Sequence, residues 1–278
     1  MILASPPYEN ANQPLIPSRK METPKVVEWL NSSQPACSFL IFSGPDKQDS
    51  IVTLPVAFSI DGGEIRINSD IPLKYKDYLS DGSSVTFFSY SDYSIDRLSP
   101  TAPDQPIYDC RVTVHGTLSL KNGESEGKTE MTIKIPPDLT GAGIVSEREE
   151  LKPEVGILEE NDILKKDLCG VLSVKDDDGE IRPMVMWYIL EGNKILLTTR
   201  IHGKKGKISK KLQWIRNKNI SSLCLHAPRS KLKDFITLEG GVDGGFDEMN
   251  SINKAINAKY GNYKRDDNPH EIISFVVS

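Results

Sequence analysis

The sequence predicts a mainly β protein made of two repeats of one barrel-like unit, with short helices between some strands. From Ala36 onward the chain runs in short β-rich segments separated by glycine turns such as Asp61-Gly62-Gly63, a pattern typical of an antiparallel sheet or barrel. A second series of such segments begins near Gly170, and Glu191-Gly192-Asn193 takes the place of the earlier glycine turn. These two observations predict the fold class.

The two series correspond position by position when 50–71 is laid on 180–201. Apolar residues then fall on apolar residues, and Gly62 falls on Gly192. Because identities are few, the repeat is indicated by periodicity and by turn position. Val52 stands where Arg182 stands in the second series.

We expect the chain to divide into a loose N-terminal arm, a first half, an acidic linker and a second half, at 1–22, 23–137, 138–160 and 161–278. Helical spacing of apolar residues predicts a helix over 246–260. A short helix is also expected to end near Lys166, at the end of the acidic segment.

Composition limits the possible partners. A chain of 278 residues with 38% hydrophobic residues can bury a sizeable core. Its net charge of −5 gives no general attraction to nucleic acid or to an anionic membrane. Apolar runs such as 185–190 are too short to span a bilayer, and 1–22 has no apolar signal-peptide core. We therefore expect a cytoplasmic protein without a membrane partner.

Cysteines and histidines suggest no metal site. The four cysteines are scattered without a Cys-x-x-Cys pair, and the four histidines have no metal-ligand spacing. We expect the cysteines to be reduced core thiols.

A basic segment is the sharpest chemical signal. Between Arg200 and Lys218 there are eight Lys or Arg and no Asp or Glu. The segment follows a predicted strand, 194–199, that ends in two threonines. Hydroxyls and cations that converge after a strand are the donors that a phosphate group needs. The alternative interpretation of the basic segment is a solvated helix face. The predicted phosphate ligands are Thr198, Thr199, Lys210 and Lys211.

The order of these features resembles the flavin split-barrel superfamily, which is pyridoxamine 5'-phosphate oxidase-like. Its members carry a strand beginning with Arg, a turn, a strand ending in Thr, and basic residues that open a helix. Here the matching residues are Arg182-Pro-Met-Val-Met-Trp187, Leu197-Thr198 and Lys210-Lys211. The resemblance implies that the first strand lies along the flavin ring and that the threonine and lysines hold the phosphate. With Thr199 added, the candidate FMN ligands are Arg182, Met184, Val185, Met186, Trp187, Leu197, Thr198, Thr199, Lys210 and Lys211.

The resemblance also implies how the halves pair. Members are typically homodimers with cofactor sites between subunits, so two fused split β-barrel repeats would form an intramolecular pseudo-dimer. First-half residues such as Arg111 or His115 would complete the second-half site. The first half lacks the matching cations, so a second flavin is not expected. A monomeric pseudo-dimer and a weak homodimer both remain open.

The function implied is that of an FMN-dependent oxidoreductase acting on a small molecule, in which the flavin ring carries the chemistry and no catalytic side chain is named. A deazaflavin coenzyme or haem could replace FMN, and the barrel could be a non-catalytic flavin-binding scaffold. A remaining alternative is RNA binding, because Gly203-Lys-Lys-Gly206 resembles the GXXG loop of KH domains. That loop joins two helices, whereas a strand is predicted before this one.

Overall fold

The computed structural model of the chain describes fourteen stretches, namely 23–31, 37–44, 50–91, 108–122, 129–136, 143–147, 170–186, 188–191, 194–200, 208, 210–217, 221–226, 235–245 and 270–277. Several predicted features lie outside these residues: the arm at 1–22, most of the linker, the helix ending near Lys166, the Gly203–Gly206 loop, the helix at 246–260 and Trp187.

The first half begins with a helix and continues with strands interrupted by one helical turn. Its elements are α1 (Thr23–Asn31), β1 (Cys37–Ser43), β2 (Ile51–Pro55), β3 (Phe58–Asp61), β4 (Glu64–Ile67), α2 (Leu73–Lys76), β5 (Ser84–Ser91), β6 (Tyr108–Asn122), β7 (Thr129–Lys134) and β8 (Gly143–Glu147).

The second half repeats the series of elements from β1 to β7. Its elements are β9 (Gly170–Lys175), β10 (Ile181–Met186), β11 (Tyr188–Glu191), β12 (Lys194–Arg200), α3 (Lys210–Asn217), β13 (Ser221–His226), β14 (Phe235–Gly245) and β15 (His270–Val277).

Both halves form an antiparallel sheet with the same strand order. The first sheet runs β2-β1-β5-β6-β7-β4-β3, and the second runs β10-β9-β13-β14-β15-β12-β11. The registers agree as well: β3 pairs Phe58 with Ile67 of β4, and β11 pairs Tyr188 with Leu197 of β12. The predicted mainly β fold is therefore confirmed, and the shared strand order is consistent with two barrel repeats.

One strand has no counterpart among the described residues of the second half. β8, which falls within the segment expected to be a linker, pairs with the N-terminal part of β6, so that Tyr108 lies opposite Glu147. The first sheet therefore has eight strands and the second has seven.

Side chains on the two faces of one strand belong to different hydrophobic clusters. On β1, Leu40 and Phe42 point into the core of the first half, whereas Phe39 and Ile41 pack against the second half. This follows from the alternation of side chains along a strand, and it explains why β1 is apolar at consecutive positions. A third cluster fills the core of the second half.

We call the layer between the two sheets the seam. Its apolar members come from both halves, as expected for a pseudo-dimer: Phe39, Ile41, Ile51, Phe88, Tyr90, Val171, Ile181, Val185, Ile189, Leu196, Cys224 and Ile272. Cys224 is a buried thiol of this layer, as predicted for a core cysteine.

Hydroxyl groups also cross the seam. The Thr53 hydroxyl lies 2.8 Å from that of Ser173, and the Thr237 hydroxyl donates to the Thr53 carbonyl at 2.6 Å. These contacts fix one half against the other because a buried hydroxyl needs a partner at a defined place. Within the part of the chain that the structure describes, no helix is both long and apolar enough to cross a membrane.

Candidate functional site

Arg182, the second residue of β10, is the centre of a polar cluster built from both halves. Its Nε lies 2.7 Å from Oδ2 of Asp176, and its Nη2 lies 2.5 Å from Oε2 of Glu180. Its Nη1 is 3.5 Å from Nε2 of His115, which belongs to β6 of the first half. The guanidinium carbon is 5.9 Å from the centre of the Trp214 ring. We call these five residues the Arg182 cluster.

The tight turn between β9 and β10 presents Asp176 to Arg182. Oδ1 of Asp176 accepts the backbone N–H groups of Asp178 and Glu180 at 3.0 and 2.9 Å. Gly179 closes the turn with a φ of +82°, a conformation that glycine adopts without strain. Asp176 therefore caps the turn with one carboxylate oxygen and orients Arg182 with the other.

Asp176 stays ionised in this position. It is only 3% exposed, and burial acts to raise its pKa. The hydrogen bond from Arg182 and those from the backbone of Glu180 and Asp178 act in the opposite direction and leave the pKa below its usual value. Bonds to the charged form outweigh desolvation here.

The surroundings of His115 favour the neutral imidazole. Its Nδ1 lies 3.0 Å from the hydroxyl of Thr86 on β5. Burial is the largest influence on its pKa and lowers it; Glu180 and Asp176 act to raise it, and Arg182 adds to the lowering. The net shift is downward. The side chain of Arg111, the other first-half candidate, lies outside the described residues.

The apolar candidates on β10 point to opposite faces of that strand. Met184 and Met186 belong to the second-half core, and so does Leu197 of β12, whereas Val185 packs in the seam. All four side chains are buried. Because these side chains are buried on both faces of β10 and on β12, any contact between β10 and a planar ligand would be made through the backbone of the strand.

Among the described strands, β10 has one edge without a partner strand, which we call its open edge. The strand ends the sheet order, and in the described ladders it pairs with β9 alone. Pro183 lies within it, which suits an edge strand because proline has no N–H to donate to a neighbouring strand. Backbone N–H and C=O groups along such an edge are strong hydrogen-bonding groups.

The two candidate lysines begin α3. Lys210 is exposed and Lys211 is partly buried, and the first turn of the helix contains no acidic residue. Thr198 and Thr199 lie on β12, where their backbones pair with Ile272 and Glu271 of β15. The side chains of both threonines, and all of Trp187, lie outside the described residues.

Trp214 lies on α3, the helix that begins with the two lysines, and its ring is beside Arg182. It lies four residues after Lys210, and residues at that spacing are neighbours on a helix surface. Its ring also packs against the second-half core. Arg182 therefore lies between Trp214 of α3 and His115 of the first half.

Three members of the Arg182 cluster, Asp176, Glu180 and Trp214, were not identified from the sequence. The Asp-Asp-Asp-Gly-Glu run at 176–180 is the signal that could have found two of them, because it is a turn motif one residue before the strand that carries Arg182.

The first half has no equivalent of Arg182. The β1–β2 register pairs Val52 with Phe42, and the β9–β10 register pairs Arg182 with Val174. Since Phe42 and Val174 occupy matching positions, Val52 stands where Arg182 does, as predicted. Val52 is fully buried in the first-half core, so the site is asymmetric.

No protein-family model matches the chain, and no curated protein matches it. Solved structures with a similar fold include an F420 reductase, at 19% identity and a TM-score of 0.34 over 42% of this chain and 90% of that one. A putative pyridoxamine 5'-phosphate oxidase from Listeria innocua matches at 17% identity and a TM-score of 0.33, over 42% and 88%. The inhibitor of motility MotI/DgrA from Bacillus subtilis matches at 8% identity and a TM-score of 0.27, over 89% and 90%. These are likenesses of fold alone.

Proposed function

We propose that the second half binds a phosphorylated flavin-type cofactor, FMN in the first instance, and that the protein is a flavin-dependent oxidoreductase acting on a small molecule. The observation that carries this proposal is helix α3, which begins with Lys210 and Lys211 and whose Trp214 ring lies 5.9 Å from the guanidinium carbon of Arg182 on β10. We also infer that the two halves are tandem copies of one split barrel, which the shared strand order and registers support.

The residues present suit the phosphate end of such a cofactor. A phosphate group needs several donors and a positive local charge, and lysines at a helix start supply both. Lys210 and Lys211 stand there with no acidic residue in the same turn. Arg182 is a poorer phosphate ligand, since its guanidinium already contacts two carboxylates.

The ring end would rest on the backbone of β10. The buried side chains of Met184 and Val185 hold that strand from its two faces, so its edge is rigid. The seam excludes water from one side of the strand. When bound, a flavin supplies the acceptor for an electron pair, and the protein supplies position and electrostatics.

The Arg182 cluster would position this edge. Asp176 fixes the β9–β10 turn and the guanidinium together, and β10 follows directly from that turn. Movement of the turn would therefore displace the strand edge on which the ring rests. We assign Asp176 and Arg182 a positioning role.

The first test is the binding of FMN by purified protein, followed by absorbance and by quenching of flavin fluorescence. Replacing both Lys210 and Lys211 with Ala should weaken binding at least about tenfold, since a hydrogen bond to a charged group contributes roughly 1.5–3 kcal/mol. The matched control is the double change of Lys74 and Lys76, two exposed lysines of α2 in the first half, which should leave the affinity unchanged. Equal affinity in both double variants would remove the phosphate assignment.

The same titration separates the alternatives. Binding of a deazaflavin coenzyme or of haemin in place of FMN would identify a different cofactor at the same site. Bound FMN that neither NADH nor NADPH reduces would favour the non-catalytic flavin-binding scaffold.

A further inference from the structure

The contact between His115 and Arg182 joins the two halves at the edge of the seam. His115 lies on β6 and is held by Thr86 of β5, both in the first half. Arg182 lies on β10 and is held by Asp176 and Glu180, all in the second half. A change in this contact therefore changes how the first half is held against the β9–β10 turn of the second half.

The chemistry of the two side chains fixes the proton on the imidazole. A guanidinium only donates, so the Nε2 atom that faces Nη1 of Arg182 must carry a lone pair. The proton of the neutral ring is then on Nδ1, from which it is donated to the Thr86 hydroxyl. This tautomer satisfies both neighbours at the observed distances of 3.0 and 3.5 Å.

A second proton on His115 would reverse this contact. Nε2 would become a donor facing another donor, and a cation would face the Arg182 cation across 3.5 Å. The charged groups that face His115 among the described residues are Arg182, Asp176 and Glu180. The two carboxylates are already bound to Arg182, so they offset this repulsion only in part.

We propose that His115 is a pH-sensitive contact between the two halves, which holds the β9–β10 turn against the first half when the imidazole is neutral and releases it when the imidazole is protonated. The release would be local, because the apolar seam and the Thr53–Ser173 contact do not titrate. It would loosen the turn that carries Asp176 and Arg182. The proposal does not depend on a bound cofactor.

The direction of the effect follows from proton linkage. The pKa of His115 is lower in the folded protein than the ordinary value of about 6.5. The unfolded chain therefore binds the proton more readily, and stability rises with pH in the interval between the two values. The contact is complete above about pH 6.5 and is lost as pH falls through the lowered value.

Hydrogen exchange of the β9–β10 turn tests the proposal, with protection corrected for the intrinsic pH dependence of exchange. In the unaltered protein, protection of 176–182 should fall about fivefold, the size of one ordinary hydrogen bond, as pH is lowered through the folded-state pKa of His115, which proton NMR measures on the same protein. In His115→Gln the fall should be absent, since a glutamine amide can accept from Arg182 and donate to Thr86 without titrating. Ser119→Gln, at an exposed position of the same strand, should retain the fall.

Three results would overturn the proposal. They are an unchanged protection of the turn in the unaltered protein, an equal fall in His115→Gln, and an imidazole that titrates at or above its ordinary value. The last is measured by proton NMR on the unaltered chain, with His115 assigned through its proximity to the Thr86 methyl group. The NMR titration can overturn the proposal even if His115→Gln fails to fold.

Discussion

At the start of β10, the charge of Arg182 is balanced by a buried carboxylate and by a half-exposed one. Asp176 is 5% exposed at its side chain and Glu180 is 49% exposed. Removing the buried partner of an ion pair is costly because the remaining charge loses a close opposite charge, although Arg182 keeps its contact with Glu180. We therefore expect that loss of the Asp176 charge lowers the free energy of unfolding more than loss of the Glu180 charge.

Replacing Asp176 with Asn keeps an oxygen for the turn but removes the charge beside Arg182. We expect a loss of about 1–2 kcal/mol in the free energy of unfolding at neutral pH, because Arg182 is 34% exposed and keeps its contact with Glu180. Urea denaturation measures it. Asp178→Asn, at an exposed carboxylate in the same turn, should change stability by less than about 0.5 kcal/mol; equal losses in the two variants would contradict the assignment.

The unaltered protein and Asp176→Asn should respond differently to acid. The folded-state pKa of Asp176 is below its usual value, so its stabilisation is complete above the unfolded value of about 3.9 and is lost as pH falls through the folded value. The stability gap between the unaltered protein and Asp176→Asn should therefore narrow below about pH 4. A gap that stays constant to lower pH would show that Asp176 does not titrate in this way.

At the scale of the elements, the β9–β10 hairpin depends on one backbone conformation. Gly179 has a positive φ, and a Cβ atom there would meet no heavy atom within 4 Å. A substitution is therefore costly for backbone reasons alone. Gly179→Ala should lower the free energy of unfolding by about 1 kcal/mol and weaken FMN binding, since it displaces Asp176. Asp177→Ala, at the neighbouring exposed position, should do neither. Thermal unfolding and the flavin titration check both effects.

The sequence predicted the repeated elements because hydrophobic alternation and glycine turns are local properties. Laying Phe58 on Tyr188 anticipated the hairpin registers that the structure shows. The Arg182 cluster was only partly anticipated. Its members His115 and Arg182 lie on strands of different halves, and their meeting depends on how one sheet packs on the other, which no local pattern records.

At the scale of the whole molecule, the seam combines apolar packing with a few hydroxyl contacts. The Thr53–Ser173 pair crosses the seam, whereas the Ser38–Ser89 pair, at 2.9 Å, lies within the first half. The two pairs offer a matched comparison because each is a buried contact between two hydroxyls. Apolar area brings the halves together, and the hydroxyls specify one alignment.

A double-mutant cycle of Thr53→Val with Ser173→Ala should give a coupling energy of about 1 kcal/mol. The Ser38→Ala and Ser89→Ala cycle should give a similar value. Denaturant unfolding of each single and double variant supplies both numbers. Coupling within the first half but none across the seam would show that the halves do not pack through Thr53 and Ser173 in solution.

The seam also lies within a single polypeptide, which changes how it responds to dilution. Two separate barrels would meet at a rate set by their concentration, whereas two joined ones meet at an effective concentration set by the connecting chain. A site that needs His115 from one half and Arg182 from the other is therefore complete at any protein concentration. The chain can also carry Arg182 on one side and Val52 on the other, an asymmetry that a pair of identical subunits cannot hold.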